Sequence, residues 1–409
     1  MLRTPPMRLF ACLLLFVRKG AAYDNGSPTR KPPLGWQTWC AAGQCGTDHC
    51  EDFQIRATAK AMSQNGMQEV GFEWIVLDDC WQPTRDANGI LVPKSEWFPH
   101  GMKPVVDYVH SLGMKFGLYT SVGDRTCVGG KPGSYGHYKQ DADLFASWNL
   151  DYVKLDYCGG HCSEEGHKEF SAALNATGRS MVLELCRGPY QQQDKWGYAA
   201  QIAQIWRATG DHHDSFSSTL DQLKHMENRS SWSGPYGWAY GDMMMTGGQG
   251  CKNYDVHKPQ HCPQQSDNEY RTEVSLYGVM SSPMLIGTDL RDMTSIMTET
   301  LLNKDLIMIN QDWQAPPGDV LPLGSCGSKT WVRKLSDGRI AVAIPNLGDA
   351  PTDLSVCLSD VGWGEKDAQV RDVWKKEVGT TTNGKFTRRV ESHDTLLVLL
   401  SKGEHSIVV

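Results

Sequence analysis

The residues of this 409-residue chain that could do chemistry gather at the ends of short apolar runs. Asp78 and Asp79 close IVLDDC, Asp156 closes YVKLD, Arg207 leads to Asp211 in WRATGD, and Asp242 ends WAYGD. Side chains two apart on a strand share a face, so Lys154 and Asp156 point the same way. A cation beside a carboxylate favours the ionised form that a nucleophile needs. A partner acid must instead hold its proton, and a neighbouring anion raises its pKa. Asp156 and Asp211 fit these two roles in a glycosidase that retains configuration, whose carboxyl groups stand about 5–5.5 Å apart. Spacing alone leaves a second reading open, in which both acids are loop caps or salt-bridge partners. His212, His213 and Asp214 are metal-ligand types, but consecutive residues rarely converge on one ion, and zinc-type CxxC pairs are absent. No metal or cofactor is expected. His213 is expected to hydrogen-bond behind the catalytic acids, and Met243 to Met245 to serve packing.

Such residues need a scaffold that brings strand ends together. Short β-branched and aromatic runs alternate with helical stretches between about residues 33 and 312, a pattern of parallel strands with crossover helices. Candidate strands are GWQTW, FEWIVLDDC, KFGLYTSVG, DYVKLDYC, SMVLELC, IAQIWRATG, YGWAYGD and PMLIGTDL. Between them, Ile55, Ala59 and Met62, and then Val105, Val106, Val109 and Leu112, recur at helical spacing. Eight such units, with no GxGxxG turn after any strand, predict an α/β fold, a (β/α)8 TIM barrel whose site lies at the C-terminal strand ends. After PPGD the runs TWVRKL, GRIAVAIPNL, TDLSVCL, VRDVWKKE, KFTRRV and TLLVLLS predict an antiparallel β-sandwich. The expected domains are a signal peptide over 1–22, the catalytic barrel over 23–315 and the sandwich over 316–409.

The signal-peptide expectation rests on Arg3 and Arg8 before the apolar run Leu9 to Val17, followed by Gly20, Ala21 and Ala22. No stretch is long enough to span a bilayer as a helix. Removing Cys12 with that segment leaves twelve of the 13 cysteines, which an oxidising compartment would pair. Cys251 and Cys262 have the spacing of a local staple, and Cys326 and Cys357 are likewise assigned to disulfides. Asn25, Asn175 and Asn228 begin N-x-S/T triplets, of which Asn175 and Asn228 are the expected glycosylation sites. The net charge of −7, with 40 scattered basic residues, excludes the footprint that nucleic acid requires. A neutral partner fits better, and the 14 Trp residues offer faces suited to sugar rings.

The segments LGWQTW, IVLDDCW, FPHGMKPVVDYVHSLGMKFGLYTSVGDRTC, PGSYGHYKQDADLFASWNLDYVKLDYC, SSPMLIGTDLRDM and NKDLIMINQDW closely resemble glycoside hydrolase family 27, the α-galactosidases and α-N-acetylgalactosaminidases. The resemblance runs from about residue 32 to 312, and the tail resembles that family's C-terminal sandwich. It implies Asp156 as nucleophile, Asp211 as acid/base, and a galactose pocket lined by Trp39, Asp78, Asp79, Tyr119, Lys154, Arg207 and Asp242. It also implies a disulfide between Cys127 and Cys158 beside the nucleophile strand, and a partner for Cys80 among Cys40, Cys45 and Cys50. Carboxylates at Asp78 and Asp79 can accept from adjacent sugar hydroxyls, and a missing hydroxyl would leave them unpaired.

Two segments depart from the family. Arg187, in Cys186-Arg187-Gly188-Pro189-Tyr190, stands where the α-galactosidases commonly carry Glu after strand five, and it joins the candidate substrate-binding residues. Trp238-Ala239-Tyr240-Gly241-Asp242-Met243 replaces the usual Trp-Asn-Asp-Pro-Asp-Met, with Asp242 retained. The expected function is exo-acting, retaining hydrolysis of terminal α-D-galactosyl residues from oligosaccharide, polysaccharide or glycolipid. α-N-Acetylgalactosaminidase, β-L-arabinopyranosidase and a non-catalytic galactose-binding protein are the alternatives. The expected route is secretory, to the exterior, a lysosome or a vacuole, and a homodimer is one possible assembly.

Overall fold

The computed structural model describes residues 23–41, 43, 45–46, 50–186, 196–364 and 366–402. The segment expected as a signal peptide, 1–22, and Arg187 lie outside the described residues.

Eight parallel strands, one in each expected run, form the larger sheet: β1 (Leu34–Gln37), β2 (Trp74–Leu77), β3 (Lys115–Ser121), β4 (Tyr152–Asp156), β5 (Val182–Leu185), β6 (Ile205–Arg207), β7 (Trp238–Tyr240) and β8 (Met284–Ile286). Their order is β8-β1-β2-β3-β4-β5-β6-β7. A parallel bridge between Met244 and Ile286 joins the segment after β7 to β8 and turns the sheet into a barrel. Strands buried on both faces must be apolar almost throughout, and β2 and β8 are. Helices α1 (Asp52–Met62) and α2 (Lys103–Ser111) follow β1 and β2, burying Ile55, Ala59 and Met62, and Val105, Val106 and Val109. Inside, Trp74, Val76, Tyr152, Val182, Ile205, Tyr240 and Leu285 pack into a layer that fills the barrel. Period-two alternation then puts Lys154 and Asp156 above Tyr152, and Glu184 above Val182, on the same inward face.

The C-terminal region adds β9 (Asp319–Val320), β10 (Trp331–Lys334), β11 (Ile340–Pro345), β12 (Thr352–Cys357), β13 (Gln369–Asp372), β14 (Glu377–Thr380), β15 (Lys385–Val390) and β16 (Thr395–Ser401). One sheet runs β9-β10-β11-β16-β13-β14, and β12 pairs with β15 to cover it. The run VRDVWKKE does not form one strand. Asp372 Oδ1 accepts from the amides of Trp374 and Lys375, and Lys376 takes φ 56°, so the chain turns there and returns as β14. Buried Arg333 of β10 ties the two regions together by donating to the carbonyls of Ile309, Asn310, Asp312, Ala315 and Pro316.

Among the described residues, five disulfides join Cys40–Cys45, Cys50–Cys80, Cys127–Cys158, Cys251–Cys262 and Cys326–Cys357. The expectation that all twelve remaining cysteines pair is corrected by Cys162 and Cys186, which are free thiols. Cys186 is buried against the site at the end of β5, and the Cys162 sulfur packs on the Cys158 and Gly159 carbonyls.

Candidate active site

The barrel delivers nine of the expected site residues to one rim. Trp39 follows β1, Asp78 and Asp79 follow β2, Tyr119 lies in β3, and Lys154 and Asp156 lie in β4. Arg207 ends β6, Asp211 lies four residues beyond it, and Asp242 follows β7.

Asp156 is 7 % exposed and held at both oxygens. Oδ2 accepts from the Tyr119 hydroxyl at 2.9 Å and Oδ1 from the Tyr157 amide at 2.8 Å. Cys127 Sγ of the Cys127–Cys158 disulfide lies 2.9 Å from Oδ2. Lys154 shares the inward face with Asp156, as strand parity requires, but its ion pair is with Asp78 Oδ2 at 2.7 Å. Burial works against the Lys154 ammonium, and Asp78, with Glu184 and Asp242 nearby, outweighs it and holds the pKa above its ordinary value. The Gln37 amide donates to the same Asp78 oxygen at 2.6 Å, and the Asp79 amide to Oδ1 at 2.7 Å.

Asp79 Oδ2 accepts from the Val128 amide at 2.8 Å, while Oδ1 lies 3.6 Å from Lys131 and receives no hydrogen bond. Burial pushes its pKa up to about 6, against the opposing Val128 amide and Lys131. Across the rim Arg207 donates to Asp211 Oδ1 at 2.5 Å and lies 3.5 Å from Asp242 Oδ1. Asp242 Oδ1 and Arg207 Nε make no hydrogen bond. Buried charged groups normally find partners, so Asp79, Asp242 and Arg207 present acceptors and a donor suited to a polyhydroxylated ligand. Half-buried Trp39 walls the site on a cluster of Cys40, Cys45, Met243, Met245, Tyr270 and Ile296, its ring 6.0 Å from Lys154 Nζ. Met243 and Met245 pack as expected.

The family profile for alpha galactosidase A matches residues 31–312, and the alpha galactosidase C-terminal beta sandwich profile matches 326–400. The chain belongs to the α-galactosidase family of glycoside hydrolases. It is 35% identical to an alpha-galactosidase of Coffea arabica, covering 90% of this chain and 93% of that one. It is 32% identical to alpha-galactosidase A of Homo sapiens, covering 89% and 87%. The crystal structure of alpha-galactosidase I from Mortierella vinacea superposes with a TM-score of 0.80 at 26% identity, covering 92% of this chain and 98% of that one. The expected family, barrel and sandwich are thus borne out.

Several site features of this family member differ from expectation. His213 is exposed, and its amide donates to Ser218 Oγ. His212 is the buried one. Its amide donates to Asp242 Oδ2 at 2.8 Å, and its ring lies between the Met243 carbonyl at 2.8 Å and Thr219 Oγ1 at 3.2 Å. Asp214 accepts from Tyr270 and Gln265, which pins the loop beyond Asp211. Among the described residues, Cys127, Asp156 and Cys158 crowd together, as do Cys326, Cys357 and Asp360, but in each group both sulfurs are in a disulfide and cannot act as thiolate ligands. Asn228 is exposed and Asn175 half-buried, while the Asn25 amide donates to the Met181 carbonyl.

Gln37 and Lys131 are site residues that sequence reasoning missed, as it missed Glu184, which is buried beneath the rim. Gln37 could have been found from its spacing two before Trp39, and Glu184 from its alternation with Val182 and Cys186. Lys131 comes from a Gly-rich loop with no periodic signal.

Proposed function

We propose that this chain removes terminal α-D-galactosyl residues with retention of configuration. Asp156 attacks the anomeric carbon while Asp211 protonates the departing oxygen. Asp211 then takes a proton from water as that water opens the galactosyl-aspartate, releasing galactose. The observation that carries this is the contrast between the two acids. Asp156 is buried and fixed by Tyr119 and Tyr157, whereas the Asp211 side chain is 42 % exposed beside Arg207, open to exchange a proton with solvent. Asp78, Asp79, Lys154, Arg207 and Asp242 would hold the sugar hydroxyls, with Trp39 and Tyr119 as apolar wall. Arg187 stays a candidate for contact near the sugar's second carbon.

The five disulfides suit an oxidising compartment, in keeping with a secretory route to the exterior or to an acidic organelle. The division at 315/316 into catalytic barrel and sandwich belongs to the same proposal. Purified Asp156→Asn should lose at least about a thousandfold in turnover of an aryl α-galactoside with an unchanged melting temperature. The wild type should release α-galactose first, read by proton NMR. Near-normal hydrolysis by Asp156→Asn, or β-galactose as first product, would sink the assignment.

A further inference from the structure

Beneath the rim the barrel holds a carboxylate that this mechanism does not use. Glu184 of β5 is fully buried and is the register partner of Lys154 on β4. Its Oε2 accepts the Tyr152 hydroxyl, while its Oε1 has no hydrogen-bond partner, and neither has the Tyr240 hydroxyl of β7. A buried carboxylate is costly unless it is paired or neutral, so packing alone does not explain Glu in this layer. Charged and titratable groups face it from the surrounding strands: Tyr152 and Lys154 on β4, Asp78 after β2, Asp242 and Tyr240 at β7. Cys186 follows it on its own strand, and Arg207 of β6 faces that thiol.

We propose that Glu184 is a positioning residue for the sugar pocket, which acts by competing with Asp78 for the Lys154 ammonium. While Glu184 is neutral, Lys154 stays on Asp78 Oδ2 and both keep their place at the rim. When Glu184 loses its proton, the new anion draws Lys154 inward, Asp78 loses its partner, and the pocket binds galactose less well. The inference rests on the reading of Asp78 and Lys154 as galactose ligands. Burial pushes the Glu184 carboxyl up to about 7, with Lys154 and the Tyr152 hydroxyl opposing the rise, which places the change near neutrality.

The test is the Kd for free galactose, measured by calorimetry on the full chain from about pH 5 to about pH 9. Galactose binding involves no bond cleavage, so the protonation of Asp211 for catalysis does not limit it. Wild-type Kd should rise above about pH 7, by up to about tenfold per pH unit. Glu184→Gln mimics the neutral acid. It should stay within about threefold of wild type at low pH and lose the rise. Asp79, whose pKa burial raises to about 6, is present in both proteins, so the comparison between them isolates the Glu184 contribution. Tyr152→Phe removes a hydrogen bond that favours the anion, so its rise should move to higher pH by about half a unit or more. A Glu184→Gln profile that rises with the wild type overturns the proposal. If that variant does not fold, an unmoved rise in Tyr152→Phe overturns it instead. Absence of galactose binding by the wild type at every pH would count against the pocket reading itself, a result distinct from an unchanged pH profile.

Discussion

On the β2–β4 side of the rim Asp78 and Asp156 are buried and locked. Asp78 takes Lys154, Gln37 and a backbone amide, and Asp156 takes a tyrosine hydroxyl and a backbone amide beside a disulfide. On the β6–β7 side Asp211 sits four residues beyond its strand, pairs with Arg207 and faces water. The difference matches the roles proposed for the two sides. A nucleophile gains from fixed geometry and a desolvated setting, because reorganisation then costs little during attack. An acid that must later serve as a base gains from contact with water, which resets its proton between steps.

The contrast predicts that losing the exposed acid harms substrates unequally. Asp211→Asn should cost an alkyl α-galactoside about 10²–10⁴ in kcat/KM, and cost a nitrophenyl galactoside much less in the first step, because that leaving group needs little protonation. Equal losses on the two substrates, measured in parallel, would break the division of roles. A smaller effect is expected inside the locked half. Lys154→Met leaves Asp78 buried without its cation, so stability should fall by about 3–5 kcal/mol and the KM for galactosides should rise, both read on one preparation by thermal unfolding and initial rates. An unchanged melting temperature would mean that the pair is not holding the rim.

The smallest effect concerns Asp79, whose pKa is raised to about 6 from an ordinary 3.8. The folded chain binds this proton more tightly than the unfolded one. The associated stability is therefore fully present below about pH 4 and is lost as pH rises through about 6. Asp79→Asn has no such proton, so between about pH 4 and about pH 7 its stability relative to wild type should improve by on the order of 2–3 kcal/mol. A stability difference that stays flat over that window would show that Asp79 is better solvated than its burial implies.

Much of this was legible beforehand because it is local. Apolar runs such as WIVL and MLI read as buried strands, and helical spacing of Ile55, Ala59 and Met62 marked the crossover helix after β1. The break between β13 and β14 was missed because VRDVWKKE keeps a strand-like composition through a turn set by one Asp side chain and one left-handed Lys. His213 was preferred over His212 because two adjacent histidines are equivalent in sequence. Only the fold of the loop decides which one turns inward. Cys162 and Cys186 were expected to pair because an even count invites it, but pairing needs facing sulfurs, and the barrel supplies none for either.

The sequence by itself determined the eight strands, the inward parity of Lys154 and Asp156, and the family to which the chain belongs. Only the tertiary structure decided that Lys154 serves Asp78 rather than Asp156, that Asp156 is held by Tyr119, and that Glu184 is the register partner of Lys154 on the neighbouring strand. Parity is a property of one strand, fixed by backbone geometry at every second residue. A partner across the barrel depends on the order, stagger and closure of all eight strands, which no single segment encodes.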